Sequence, residues 1–93
     1  MTLLLFTTLN CKWCREFNKT VAEFVKKYGV HIKIYDIENE KNLSMNIAAM
    51  RKYSLDKTPT LIIKNNEVEV FRVETTLSEE SLKTITELLQ HHE

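Results

Sequence analysis

Apolar residues in the first third of the chain follow a strand pattern and then a helix pattern. Residues 3–6 form a continuous apolar run, as in a strand that is buried on both faces. Beyond it, apolar side chains recur at helical spacing: Cys14, Phe17, Val21, Phe24, Val25 and Tyr28. Gly29 then provides a helix stop. The pattern predicts a central strand followed by an amphipathic helix.

A second strand and a second helix are predicted next. Val30, Ile32 and Ile34 alternate with polar residues, which predicts a strand ending near residues 36–37. Polar residues 39–42 then favour a helix start. The apolar residues of this helix recur at a helical period: Leu43, Ile47 and Met50. Together with Met45 and Tyr53, Met50 is expected to fill the core rather than to bind a ligand.

The last third of the chain predicts a hairpin and a final helix. Residues 60–63 and 68–71 are apolar strands, and Asn65 and Asn66 between them are turn residues that tolerate a positive φ. Ser78 begins the final helix. Its apolar stripe consists of Leu82, Ile85, Leu88 and Leu89. The order is β-α-β-α-β-β-α, an α/β fold whose first two strands are parallel with a right-handed crossover.

Length, composition and charge fit one small domain over residues 1–93. The chain is 43% hydrophobic, and a chain of this length buries roughly 60–65% of its unfolded surface. Its formal net charge is zero, which gives no argument for nucleic acid or an anionic membrane as a partner. The early apolar run is too short for a signal-peptide core or a membrane span. We therefore expect a cytoplasmic monomer that binds neither nucleic acid nor membrane.

The chain has two cysteines, Cys11 and Cys14, placed between the first strand and the first helix. A thiolate, not a thiol, attacks a disulfide, and the free N–H groups and the dipole at a helix start stabilise a thiolate at Cys11. The two intervening residues, Lys12 and Trp13, bring Cys14 within reach of a mixed disulfide on Cys11. Structural disulfides are uncommon in the cytoplasm. The spacing predicts Cys11 as the attacking thiolate and Cys14 as the resolving thiol.

A Cys-x-x-Cys pair by itself also fits half of a zinc site or a copper-chaperone loop. A closed zinc site needs four ligands, and the chain adds only His31, His91 and His92. His91 and His92 are adjacent, which is not the usual chelating spacing, and His31 lies in a predicted strand. The residues favour thiol chemistry over a zinc site within one chain, so no metal or cofactor is expected.

A second informative dipeptide is Thr58-Pro59, directly before the third predicted strand. Proline lacks a donor for the sheet ladder and restricts its neighbour, so this position often marks a special geometry such as a cis peptide bond. The Thr58-Pro59 dipeptide, the cysteine motif and the element order form one pattern. This pattern resembles the thioredoxin/glutaredoxin superfamily over nearly the whole chain. The closest type is a small, glutaredoxin-sized dithiol member.

The resemblance implies a thioredoxin-like fold. Its four-stranded mixed sheet has the order 2-1-3-4, with the first and last helices on one face and the middle helix on the other. Pro59 is expected to be cis and to lie against the active-site disulfide, and the backbone of Thr58 is expected to bind an extended substrate or glutathione. Lys12 and Trp13 complete the expected substrate-binding set, with Trp13 as an apolar wall beside the Cys11 sulfur.

Leu5 and the segment of residues 73–76 depart from the family pattern in ways that bear on the chemistry. Leu5 stands where thioredoxins usually carry a buried aspartate that assists proton transfer to the resolving thiol, and the sequence offers no evident replacement. Residues 73–76, Val-Glu-Thr-Thr, stand where glutathione-using glutaredoxins usually have a glycine pair. Glutathione is therefore kept only as an alternative co-substrate.

The predicted function is that of a dithiol-disulfide oxidoreductase that reduces protein or small-molecule disulfides through Cys11 and Cys14. An upstream reductase or glutathione would restore the dithiol. One alternative is a glutaredoxin-like binding module, in which two chains share an iron–sulfur cluster or a metal through Cys11. A metallochaperone is a second alternative, although that fold has two α/β repeats and no Thr-Pro before a strand.

Overall fold

The computed structural model describes residues 1–8 and 11–90 and has the predicted order of strands and helices. The elements are β1 (Thr2–Thr7), α1 (Cys14–Tyr28), β2 (His31–Asp36), α2 (Leu43–Lys52), β3 (Thr60–Asn65), β4 (Val68–Glu74) and α3 (Glu79–Gln90). A short 3-10 turn, Glu40–Asn42, precedes α2. The prediction of a helix start at residues 39–42 corresponds to this turn.

The four strands form one mixed sheet in the order β2-β1-β3-β4, as predicted. Strand β1 pairs in parallel with β2 and antiparallel with β3, and β3 pairs antiparallel with β4. Strand β1 is central because its residues 3–6 are apolar on both faces, and none of them is more than 4% exposed. The carboxyl ends of the parallel pair meet where Thr7 lies beside Asp36.

The two faces of the sheet carry separate apolar cores. Leu3 and Leu5 lie in the core that the sheet forms with α1 and α3. Buried side chains from those two helices in this core are Phe17, Val21, Ile85 and Leu89. Leu4 and Phe6 lie in the second core, with Ala49 of α2. The helices therefore occupy the faces that the thioredoxin-like arrangement implies.

The predicted ends of several elements are confirmed. Gly29 follows α1 with a left-handed backbone (φ 60°), and its N–H donates to the Val25 carbonyl at 2.9 Å. Asn66 turns the hairpin with φ 58°. At the start of α3, the Ser78 hydroxyl accepts the Ser81 N–H at 3.1 Å.

Helix α2 buries a different side from the one that its apolar residues suggest. Asn46 and Ala49 are its buried residues, whereas the prediction of Met45 as a core residue is wrong, since it is 60% exposed. The Asn46 amide donates to the Asp36 carbonyl at 2.6 Å and so ties the helix to the end of β2. The small side chain of Ala49 lies against the sheet in the second core. Leu43 and Ile47 are left exposed as a result.

Candidate functional site

Cys11 and Cys14 are joined by a disulfide at the carboxyl end of β1. Their Cα atoms are 5.2 Å apart, and the Cys14 N–H donates to the Cys11 carbonyl at 3.3 Å. Cys14 is the first residue of α1, with Trp13 at the N-cap position. The turn over residues 11–14 therefore brings the two sulfurs to bonding distance.

The two cysteines differ in their accessibility. Cys14 is only 3% exposed and belongs to the buried side of α1, whereas Cys11 is partly exposed. The Trp13 side chain makes no capping hydrogen bond at the start of α1. N–H groups at a helix start favour negative charge nearby, which at this position means a cysteine thiolate. An incoming sulfur atom would meet Cys11 first, with Cys14 behind it.

Trp13 forms one wall of a groove beside the disulfide loop. Trp13 is 53% exposed. The Lys12 amine lies 5.3 Å from the centre of its indole ring. The groove has a volume of about 300 Å³ and continues along Thr75, Thr76 and Leu77. Lys12 and Trp13 are thus both exposed and adjacent in sequence to Cys11, and the role of Trp13 as an apolar wall beside the Cys11 sulfur stays a prediction.

The Thr58-Pro59 peptide bond is cis, as the family resemblance implies. Pro59 is buried, and its carbonyl accepts the Thr75 N–H at 2.8 Å. Thr75 itself has a left-handed backbone (φ 67°), which is uncommon for a β-branched residue. The turn at Pro59 and the groove along Trp13 are therefore connected through Thr75. This residue adopts a glycine-like conformation within the segment where glutaredoxins usually carry glycine.

A second hollow, lined by both cysteines, is also lined by Asp36, an acidic residue that the sequence reasoning missed. It has a volume of about 430 Å³, and its lining includes Cys11, Cys14, Lys12, Arg15, Asn18 and Asp36. Among the described residues that line it, Asp36 carries the only carboxylate. The available signal was the position of Asp36 at the end of β2, because parallel strands end at the same edge of a sheet and the cysteines follow β1.

Asn18 is a second polar group of this hollow. Its amide nitrogen donates to the Thr7 hydroxyl at 2.9 Å. Its carbonyl oxygen Oδ1 is buried and accepts no hydrogen bond from the described residues. A buried acceptor of this kind is usually satisfied by water. The hydrogen bond to Thr7 therefore fixes the Asn18 side chain beside the hollow.

Metal-binding and membrane features can be assessed for residues 1–8 and 11–90. Within these ranges no three or more His, Cys, Asp or Glu side chains cluster as a metal site would require. His91 and His92, which were weighed as zinc ligands, lie outside the described residues. No helix in the described ranges combines the length and apolar character of a membrane span.

Comparison with known structures places the fold among thioredoxins. Thioredoxin 1 of Thermosipho africanus is similar over 97% of this chain and 94% of its own, with a TM-score of 0.76 and 19% identity. Fasciola hepatica thioredoxin matches 92% of this chain and 78% of its own, with a TM-score of 0.74 and 24% identity. Oxidised thioredoxin O2 of Arabidopsis thaliana matches 95% of this chain and 73% of its own, with a TM-score of 0.73 and 24% identity. At these identities the likeness shows the thioredoxin-like fold.

Comparison of the sequence with protein-family profiles identifies the family of this chain. A search of curated protein sequences finds no significant match. The profile of the glutaredoxin-like domain family (DUF836) matches residues 2–87, which is nearly the whole chain. With its thioredoxin-like fold and its paired cysteines, the chain belongs to this glutaredoxin-like family within the thioredoxin/glutaredoxin superfamily.

Proposed function

We propose that this chain is a dithiol-disulfide oxidoreductase that reduces the disulfides of proteins or small molecules. The observation that carries the proposal is the cysteine pair at the start of α1, with a partly exposed Cys11 and a buried Cys14. Thiol-disulfide exchange needs one accessible sulfur for attack and a second one close by for resolution. We further propose that the chain works as a cytoplasmic monomer.

The reaction transfers two electrons from the cysteine pair to the substrate. The Cys11 thiolate attacks one sulfur of the substrate disulfide, that S–S bond breaks, and the departing substrate thiolate takes up a proton. Cys14 then loses its proton and attacks the Cys11 sulfur of the mixed disulfide. The second substrate thiol is released, and a Cys11–Cys14 disulfide remains. An upstream dithiol or thiol reductant restores the reduced pair.

Asp36 is the proposed acceptor for the proton of Cys14. Asp36 lines the same hollow as both cysteines, and Leu5 leaves this protein without the aspartate that thioredoxins usually carry at that position. A general base must reach the proton directly or through one water. Asp36 thereby supplies a base from β2 where thioredoxins supply it from the strand before the cysteines.

Protein disulfides are the proposed main substrates. The groove along Trp13 is bounded by Thr75 and Leu77, and Thr58 precedes the cis Pro59 that is hydrogen-bonded to Thr75. An extended peptide can lie on an exposed aromatic wall and bond to backbone groups of such a turn. Glu74 would repel the carboxylate of glutathione, which supports protein substrates over glutathione.

The proposal is tested with a disulfide-bonded test protein and dithiothreitol as the electron source. Wild-type protein is expected to accelerate reduction of the test protein, and Cys11→Ser is expected to lose this acceleration because it lacks the attacking sulfur. A control is Ser44→Ala, which removes an exposed hydroxyl on α2 that lines neither of the hollows described above and should keep the wild-type rate. Wild-type acceleration by Cys11→Ser would refute the proposal. Circular dichroism of each variant verifies that it is folded.

The physiological reductant is identified by a second assay. The oxidised protein is offered NADPH with thioredoxin reductase, or glutathione with glutathione reductase and NADPH. Because the glycine pair of glutathione-using glutaredoxins is missing, we expect thioredoxin reductase to support faster turnover. Faster turnover with glutathione would contradict the assignment of the groove to protein substrates and leave the exchange chemistry intact.

A further inference from the structure

Helix α2 leaves part of its face of the sheet uncovered, and a hollow of about 480 Å³ lies there. Leu4 and Ala49 form part of its floor, and the side chains of Lys33, Lys52 and Lys64 line it. The register places Lys33 beside Leu4, and Lys64 beside Thr2 at the amino end of β1. The cysteines follow the carboxyl end of the same strand. The hollow is therefore separate from the redox site in both face and position along the sheet.

The charge of this hollow is predominantly positive. Against the three lysines, the described lining residues include one carboxylate, that of Glu67. Glu67 lies 3.7 Å from the Lys64 amine, and its side chain is 87% exposed, so this ion pair is weak in water. Neither Lys33 nor Lys52 forms an ion pair with another described residue. The hollow thus holds more positive charge than its own residues neutralise.

Lys64 is an unusual lysine because its side chain is only 11% exposed. Its amine donates to the Tyr53 hydroxyl at 2.9 Å. This hydrogen bond raises the pKa of Lys64 above its ordinary value, and a lysine amine is charged at neutral pH even without such a shift. An ammonium group has three N–H donors. One is used by the Tyr53 hydroxyl, and the Glu67 carboxylate is 3.7 Å away, so Lys64 can donate to a further acceptor.

The rings of Tyr35 and Tyr53 lie close to the amines of the three lysines. The Lys33 amine lies 5.3 Å from the Tyr35 ring centre, and the Lys52 and Lys64 amines lie 5.5 and 5.3 Å from that of Tyr53. The Lys33 and Lys52 amines are at distances typical of cation–π contacts, whereas the Lys64 amine approaches Tyr53 at its hydroxyl. The Tyr35 ring is itself stacked on Phe6 at 4.8 Å. The hollow combines positioned cations with aromatic and apolar surface.

We propose that this lysine–tyrosine hollow binds a phosphate-bearing small molecule. The phosphate would lie among Lys33, Lys52 and Lys64, and the organic part would lie against Tyr35 and Tyr53. A phosphate offers several strong acceptor oxygens to lysine ammonium groups, and pockets of roughly 300–1,000 Å³ accommodate ligands of this size. The proposal does not depend on the redox activity, since the two sites share no residue.

The test is a titration of the ¹⁵N-labelled full chain at low ionic strength, with inorganic pyrophosphate in one arm and ADP in the other. We expect saturable shifts of the amides of residues 33, 52, 53 and 64 in both arms, with tighter binding of ADP because its base adds contacts to the tyrosines. Lys33→Gln with Lys52→Gln should weaken binding roughly tenfold or more. Cys11→Ser should bind as the wild type does, which separates this result from the redox assay.

The control is Lys26→Gln with Lys27→Gln on α1, which removes the same charge. Lys27 also lies 5.3 Å from a tyrosine ring, that of Tyr28, but neither lysine lines the hollow. This control should bind both probes with wild-type affinity. Equal weakening by the two double variants would overturn the proposal, because it would show attraction by net charge alone. Absence of saturable shifts in both arms, or weaker binding of ADP than of pyrophosphate, would also contradict it.

Discussion

Among single residues, Asp36 is the one whose role the sequence did not indicate. If it accepts the proton of Cys14, Asp36→Asn should slow release of the substrate from the mixed disulfide about tenfold or more, because an amide cannot take up a proton. Rapid-quench measurement of the mixed disulfide isolates this step. The deficit should shrink as the pH is raised, because hydroxide can then take up the proton of Cys14 in place of Asp36.

The matched control for Asp36→Asn is Glu38→Gln. Glu38 is two residues after Asp36, and its backbone N–H donates to the Asp36 carboxylate at 3.2 Å. Glu38 is exposed and does not line the hollow beside the cysteines. This variant should release the substrate at the wild-type rate. Equal slowing in both variants would show a general charge effect, and an unchanged rate in Asp36→Asn would remove Asp36 from the mechanism.

Gly29 is required for its backbone conformation alone. Its φ is 60°, and an added Cβ would have no atom within 4 Å, so a substitution there meets strain and no clash. Gly29→Ala should lower the free energy of unfolding by about 1 kcal/mol, because the left-handed conformation costs ~1–2 kcal/mol and the stiffer unfolded chain returns part of it. Gly29→Asn should cost less, since asparagine tolerates this conformation. Urea unfolding measures both, and an alanine variant as stable as the wild type would contradict this account.

Among the helices, α2 depends on a polar contact more than on its apolar residues. Asn46→Ala should destabilise the protein by ~1 kcal/mol, because one hydrogen bond to the Asp36 carbonyl is lost while that carbonyl still accepts the Asn39 N–H. Ile47→Ala, at a residue that is 40% exposed, should change the free energy of unfolding by about 0.5 kcal/mol or less. Chemical denaturation of both variants checks the order, and a larger loss in Ile47→Ala would mean that the apolar side of α2 is buried after all.

At the level of strands and helices, some features could be predicted from the sequence and others could not. Strand β1 was predictable because its apolar run is continuous, and helix α1 because its apolar residues keep a helical period up to Gly29. The orientation of α2 was not, because it depends on one hydrogen bond between Asn46 and a carbonyl distant in sequence. Asp36 was placed at the end of its strand correctly, but its position beside the cysteines follows from strand register, which a single sequence does not specify.

In the molecule as a whole, two surfaces with different chemistry share one sheet. The disulfide lies beyond the carboxyl end of β1, next to the Trp13 groove, and the lysine–tyrosine hollow lies near its amino end on the face that α2 partly covers. The zero net charge of the chain conceals this arrangement, because a total carries no information on where charges lie. The chemistry expected at the cysteines could be predicted from a motif, whereas the hollow required the fold.

The central claim is that Cys11 attacks and Cys14 resolves, and trapping of the mixed disulfide tests it most directly. Reduced Cys14→Ser is mixed with a disulfide-bonded test protein, quenched with acid and analysed by intact mass and peptide mapping. The account predicts that a mixed disulfide accumulates at Cys11, because the resolving sulfur is missing, and that reduced Cys11→Ser forms none at a comparable rate. A mixed disulfide at Cys14 of Cys11→Ser, formed as fast as the one at Cys11 of Cys14→Ser, would contradict it.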